Sequence, residues 1–102
     1  MPTINGSDVS KVVVACDAGM GSSVMLASTL RGQLKKNNIT VEHTPVNSIP
    51  DDADVIVVHE GLASRARGIA PGKPVITFKV FLGDPAVTKV VNAIKNGDDI
   101  DG

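Results

Sequence analysis

The residues able to do chemistry are concentrated in one stretch, Cys16-Asp17-Ala18-Gly19-Met20-Gly21-Ser22-Ser23, which holds the chain's only cysteine. The β-branched run Val12-Val13-Val14-Ala15 precedes it, and leucines spaced by four follow it, so Cys16 stands between a buried strand and a helix. At such a junction backbone N–H groups and the positive end of a helix converge, and anions are stabilised there. The same field favours a thiolate: cysteines at helix N-termini titrate at values lowered from about 8.5 to as little as roughly 3.5. Cys16 is therefore expected to be a nucleophile near neutral pH. Gly19 and Gly21 remove two β-carbons from the turn, which lets main-chain amides close on a phosphoryl group, and Ser22 and Ser23 add hydroxyl donors. Attack on phosphorus needs donors around the equatorial oxygens and an in-line attacking atom, and a thiolate ringed by amides supplies both. The expected site is Cys16 as the catalytic, phosphate-carrying residue, with Asp17, Ala18, Gly19, Met20, Gly21, Ser22 and Ser23 binding phosphate.

Cysteine phosphatases place an arginine six residues after the nucleophile, and here that position is Ser22. A guanidinium fork would clamp the phosphoryl group and favour its hydrolysis. Its absence points to a phosphocysteine that is handed on, although Arg65 or Arg67 could reach in from elsewhere. A lone cytosolic cysteine is ordinarily a small buried residue, and only its place at a strand end inside a glycine loop gives Cys16 a functional reading. Gly19-Met20-Gly21 shares part of a dinucleotide fingerprint, but Val24 stands where the third glycine belongs and no acidic residue follows the second strand where a ribose would need one. Asp17 next to a phosphorylated thiol would repel it and raise the thiol's pKa, so its expected role is to shape the turn. His59, at a strand end, is read either as a phosphate or partner contact or as a histidine satisfying backbone groups. His43 takes the plain reading. Met20, Phe81 and Leu82 fall at the same edge as Cys16 and could form an apolar docking rim. Arg65 and Arg67 fit either an acidic partner or a solvated helix face.

The elements that must hold this loop follow from pattern. The first strand ends at Cys16, and the first helix carries Leu26, Leu30 and Leu34, with Ser22 or Ser23 as its cap. Ile39 to His43 alternates as a strand does, and Asp54 to His59 is another buried one, reached through Thr44 to Asp52, a connection with too few residues for a crossover helix. Leu62, Ala63, Ala66, Ile69 and Ala70 share one face of a second helix that Pro71-Gly72 ends, and Pro74 opens a fourth strand, Val75 to Phe78. Asp84 caps a third helix that begins at Pro85, carries Val87, Val90, Val91 and Ile94, and closes at Gly97. This alternation gives an α/β fold: a four-stranded parallel sheet, order 2-1-3-4 counted from Val12, with three helices on its two faces. The phosphate-binding loop then joins the first strand to the first helix, where the strand order reverses and ligands bind.

With 102 residues, 42% of them hydrophobic, the chain is sized for one core. Residues 11–96 are read as the domain, with 1–10 and 97–102 as disordered ends or linker remnants. A net charge of -1, no Trp or Tyr and two Phe leave no footprint for nucleic acid. One cysteine allows no intramolecular disulfide and no multi-cysteine metal site, so neither a metal nor a cofactor is expected, and a reducing, cytoplasmic compartment fits.

The loop Cys16 to Ser23, together with Val55-Ile56-Val57-Val58-His59 and Phe78-Lys79-Val80-Phe81-Leu82, resembles the IIB domain of the mannitol-type sugar phosphotransferase system, over about Lys11 to Ala93. The resemblance implies a bacterial domain that receives phosphate from a phosphohistidine on a IIA partner and gives it to a hexitol bound in a membrane IIC partner. It also implies Cys16 as the phosphorylated residue, Asp17 to Ser23 as the phosphate loop, and a cytoplasmic domain that IIC can tether to the inner membrane face. A monomer is expected for the isolated domain, and mannitol is the expected hexitol. A small cysteine phosphatase and a regulatory module of a transcription factor are the alternatives.

Overall fold

The computed structural model describes residues 3–16, 21–79 and 85–101, and of Cys16, Gly21, Ser22, Ser23 and Asp101 it describes the backbone alone. Asp17, Ala18, Gly19 and Met20, the rim residues Phe81 and Leu82, and the expected cap Asp84 lie outside the described residues. The strands are Thr3–Asn5 (β1), Lys11–Cys16 (β2), Thr40–Pro45 (β3), Val55–His59 (β4), Val75–Phe78 (β5) and Asp99–Asp101 (β6). The helices are Gly21–Leu34 (α1), Ala63–Ile69 (α2) and Pro85–Asn96 (α3).

The main sheet has four parallel strands in the order β3-β2-β4-β5. The order expected from sequence was 2-1-3-4, counted from the strand at Val12; a strand at Thr3–Asn5 precedes it, so the sheet reads β3-β2-β4-β5 instead. The two central strands are buried on both faces, which is why they are continuous β-branched runs: Val12 to Val14 and Val55 to Val58 are sealed from solvent. Pleating sends alternate residues to opposite layers. Val12, Val14, Val55 and Val57 pack with α1 and α3, through Leu26, Leu30, Leu34, Val87, Val90, Val91 and Ile94. Val13, Ala15, Ile56 and Val58 pack with Ala66 of α2, with Ala70 just after it, and with Val46 and Ile49. Those last two belong to the short β3 to β4 connection, where a 3-10 turn at Val46–Ser48 and two buried apolar side chains do the covering that a helix would do.

Three local expectations change. α1 begins at Gly21, so Ser22 and Ser23 lie in its first turn rather than capping it. β3 runs on to Pro45, two residues beyond His43; Pro45 lacks an N–H, and β3 is an edge strand, where that costs little. Ile69 is exposed, because the three small residues Ala63, Ala66 and Ala70 form the stripe by which α2 lies on the sheet.

The remaining two strands lie in the stretches read from sequence as 1–10 and 97–102, outside the expected domain. β1 pairs antiparallel with β6, Ile4 opposite Ile100, and Ile100 enters the core beside α3. Each strand carries one apolar residue between two polar ones, too little alternation to be read as a strand. What fixes them is the end of α3. Gly97 adopts a φ of 75°, and the Asp98 N–H donates back to the Ala93 carbonyl at 2.9 Å, a Schellman closure. Asn5 then donates to the Gly97 carbonyl at 2.8 Å, and the Gly6 N–H donates to the Asp98 carbonyl at 2.7 Å. Among the described residues, no helix is long and apolar enough to cross a membrane.

Candidate functional site

The carboxyl ends of the four parallel strands form one rim. Cys16 is the last residue of β2, paired in register with Pro45 of β3, and His59 of β4 is paired with Phe78 of β5. Between the two central strands the last recorded pair is Ala15 with Val58, so Cys16 and His59 are the next residues on neighbouring strands. The spatial order along the rim is thus Pro45, Cys16, His59, Phe78. Cys16 sits centrally because β2 is bracketed by β3 on one side and β4 on the other.

α1 starts at Gly21, five residues after Cys16, and the first N–H groups of any helix have no acceptor within it. Its first turn holds no acidic residue and its last turn holds Arg31, whose Nε–H donates to the Val41 carbonyl at 2.8 Å and ties the far end of the helix to β3. The axis therefore presents its positive end toward the rim, an arrangement that favours anionic groups. Of the expected site residues, the structure places the backbone of Cys16 at the strand end and that of Gly21, Ser22 and Ser23 at the helix start. Asp17 to Met20 lie between them, outside the described residues.

His59 is the rim residue whose local role sequence left undecided. Its Nδ1 accepts the Gly61 N–H at 3.2 Å, closing the 3-10 turn Glu60–Leu62 that leads into α2. Its ring meets Phe78 edge to face, with centroids 5.8 Å apart and planes at 83°. Phe78 belongs to the layer that contains α1 and α3, so the imidazole lies on the α1 side of the sheet. With Nδ1 accepting, the neutral ring carries its proton on Nε2.

Several charged residues fall away from this rim. Asp54, at the opposite end of β4, accepts the Ser10 and Lys11 N–H groups at 2.7 and 2.9 Å and staples the two central strands at their amino ends. Lys11 makes a two-oxygen contact with Asp52 at 2.9 and 3.0 Å and a second with Glu42 at 3.2 Å. The hydrogen bond to Asp52 holds the Lys11 ammonium above the usual lysine range and the Asp52 carboxyl below the usual carboxylate range. Arg65 and Arg67 are exposed on α2. Arg67 lines a groove of about 310 Å³ along β5, with Ile76, Thr77, Lys89 and Ile100, and among the described residues none of Pro45, Cys16, His59 and Phe78 lines it. His43 is half-buried within β3 rather than at its end. Val24 and Met25, exposed in α1 just beyond the loop, are apolar surface that the helical pattern alone did not single out.

Residues 11–93 match the family described as "PTS system, Lactose/Cellobiose specific IIB subunit". Similar curated proteins include the "PTS system mannitol-specific EIICB component" of Halalkalibacterium halodurans, 41% identical over 92 residues that cover 88% of this chain and 20% of that protein. The protein of the same description from Bacillus subtilis is 38% identical over 94 residues, covering 90% of this chain and 20% of its own length. The "PTS system mannitol-specific EIICBA component" of Buchnera aphidicola subsp. Acyrthosiphon pisum is 45% identical over 83 residues, covering 78% of this chain and 13% of its own. The chain thus spans about a fifth or less of the length of these relatives.

Proposed function

This chain belongs to the phosphotransferase-system IIB family, and from that premise we propose that it is a phosphoryl carrier that holds phosphate on Cys16 on the way to a hexitol, with mannitol the first choice. The observation that carries the proposal is the position of Cys16: last residue of a central strand whose residues Val12 to Ala15 are buried, and five residues before the start of α1. Parallel α/β sheets bind ligands at this point.

In the first step the Cys16 thiolate attacks phosphorus of a phosphohistidine on a IIA partner. The S–P bond forms as the P–N bond breaks, and the departing imidazole takes up a proton. In the second step a hexitol hydroxyl, bound by a IIC partner, attacks the same phosphorus. The O–P bond forms, the S–P bond breaks, the thiolate is regenerated, and the hydroxyl proton passes to a base on the sugar's side. The protein needs to supply little covalent chemistry beyond the sulfur, because positioned donors do most of the work in phosphoryl transfer. Those donors are the amides of Asp17 to Ser23 together with the Ser22 and Ser23 hydroxyls. With Ser22 where a phosphatase has arginine, the phosphocysteine persists until an acceptor arrives.

Support for the partners comes from the relatives' descriptions, which join C and B components and, in the Buchnera protein, an A component as well. Support for mannitol comes from the same descriptions, whereas the family is described by lactose and cellobiose. In this reading the domain works in the cytoplasm, held at the membrane face by its IIC partner, and uses neither metal nor cofactor. The test is reconstitution: membranes bearing a mannitol-type IIC domain, a IIA partner, the general phosphotransferase proteins and phosphoenolpyruvate, assayed for hexitol phosphate. The native chain should support its formation and Cys16→Ser should not; equal product with the two chains would overturn the proposal.

A further inference from the structure

We propose that the outer edge of β5, with the groove that runs over it, is a docking site for an extended, acidic segment of a partner protein. The site is separate from the Cys16 rim, since none of Pro45, Cys16, His59 and Phe78 lines the groove. β5 is an end strand of the sheet, and among the described strands it pairs with β4 alone. The Pro74 carbonyl accepts the Ile56 N–H at 3.0 Å, so in the alternation of a parallel pair Ile76 and Phe78 turn their main-chain groups to β4. The N–H and C=O of Thr77, a half-buried residue between them, face outward. An edge of this kind can take up a further strand.

Charge decides which strand it takes. Arg67 of α2 and Lys89 of α3 both line the groove, and α2 and α3 pack on opposite faces of the sheet, so the two cations flank β5 from either side. Both are exposed, and among the described residues neither side chain has an ion pair or a hydrogen bond. Successive side chains of an extended segment point to opposite faces, so of two adjacent acidic residues laid along β5 one meets Arg67 and the next meets Lys89. Ile76, Val90 and Ile100 supply an apolar floor beneath them. Asp99 is the one acid among the described lining residues, and its carboxylate accepts from Asn5 Nδ2 at 3.2 Å. A second copy of this chain is a poorer occupant, because two β5 edges brought together set the cations of each against those of the other.

The probe is a short peptide of paired glutamates separated by valines, titrated into the isotope-labelled chain at low salt and followed by amide NMR. The same peptide with lysine in place of glutamate is the control. The acidic peptide should move the Ile76 and Thr77 amide signals, less so as salt rises, and the lysine peptide should leave them in place. Arg67→Glu and Lys89→Glu should each weaken binding about three- to tenfold, since each exchanges an attraction for a repulsion at an exposed pair. Where a reversal lowers the melting temperature, Arg67→Gln or Lys89→Gln takes its place, with an expected loss of about two- to fivefold. Unmoved Thr77 signals, equal shifts with the two peptides, or binding unaltered by the substitutions overturns the proposal. So does a chain that dimerises through β5, seen as Thr77 shifts that follow protein concentration without peptide.

Discussion

Gly6→Ala isolates the packing of the chain's ends on α3. Gly6 opens the 3-10 turn after β1 and is buried, and it has no positive φ. Backbone conformation alone would make alanine welcome, since a compatible Gly→Ala change stabilises by about 0.4–1 kcal/mol through the unfolded chain. Space reverses the sign. A β-carbon built on Gly6 would clash with the Ala93 carbonyl oxygen and lie 2.6 Å from its carbon and 2.8 Å from Ile94 Cα. These are main-chain atoms inside a helix and cannot turn aside. Either α3 shifts off the sheet or the terminal segment lifts, giving up the Gly6 to Asp98 hydrogen bond and the seat of Ile100. Overpacking of this kind costs about 1–3 kcal/mol, and for a domain of this size each kcal/mol lowers the melting temperature by about 4–8 °C. Urea and thermal unfolding of the native chain and Gly6→Ala should show that loss, with little change in the rate of phosphate loading, because the clasp is formed by β1, β6 and the end of α3 rather than by the Cys16 rim. A Gly6→Ala protein as stable as the native one, or more so, would refute the reasoning.

Asp54→Ala should destabilise by about 1–3 kcal/mol, because the part-buried Lys11 N–H loses its acceptor; amide exchange at Lys11 should quicken, and unchanged exchange would contradict the staple. Lys11→Met should move the Asp52 titration, followed by carboxyl NMR, upward toward the ordinary carboxylate value, since the hydrogen bond from Lys11 is what lowers it. The sign for stability follows from that direction. The native Asp52 contribution is present above the ordinary value, about 3.9, and is lost as pH falls through the lowered folded value. The matching Lys11 contribution is present below the ordinary lysine value and is lost as pH rises through the raised one. Lys11→Met should therefore lessen the acid dependence of stability, and an unchanged Asp52 titration would contradict the pairing.

The central elements were legible in the sequence because burial on both faces leaves a pattern that little else produces. Val12 to Ala15 and Val55 to Val58 are such runs, and the spacing of Leu26, Leu30 and Leu34 and of Val87, Val90, Val91 and Ile94 reports one covered helix face. Cys16 at the end of a central strand followed from the same reading. The terminal strands were illegible because three residues with one apolar side chain carry no period; a long-range clasp around Gly97, Asn5 and Gly6 orders them. The start of α1 was displaced because serines favour caps, while the helix here begins at the glycine before them. His59 could be placed at a strand end from sequence, but only tertiary structure brings Phe78 and the Gly61 N–H to its ring.

Intact-mass spectrometry with site mapping, after incubation with phosphoenolpyruvate, the general phosphotransferase proteins and a mannitol-type IIA domain, reads the carrier step directly. The native chain should gain one phosphate, mapped to Cys16, and Cys16→Ser should gain none on a cysteine. A loaded IIA domain that leaves the native thiol unmodified, or a phosphate mapped to another residue, would contradict the account.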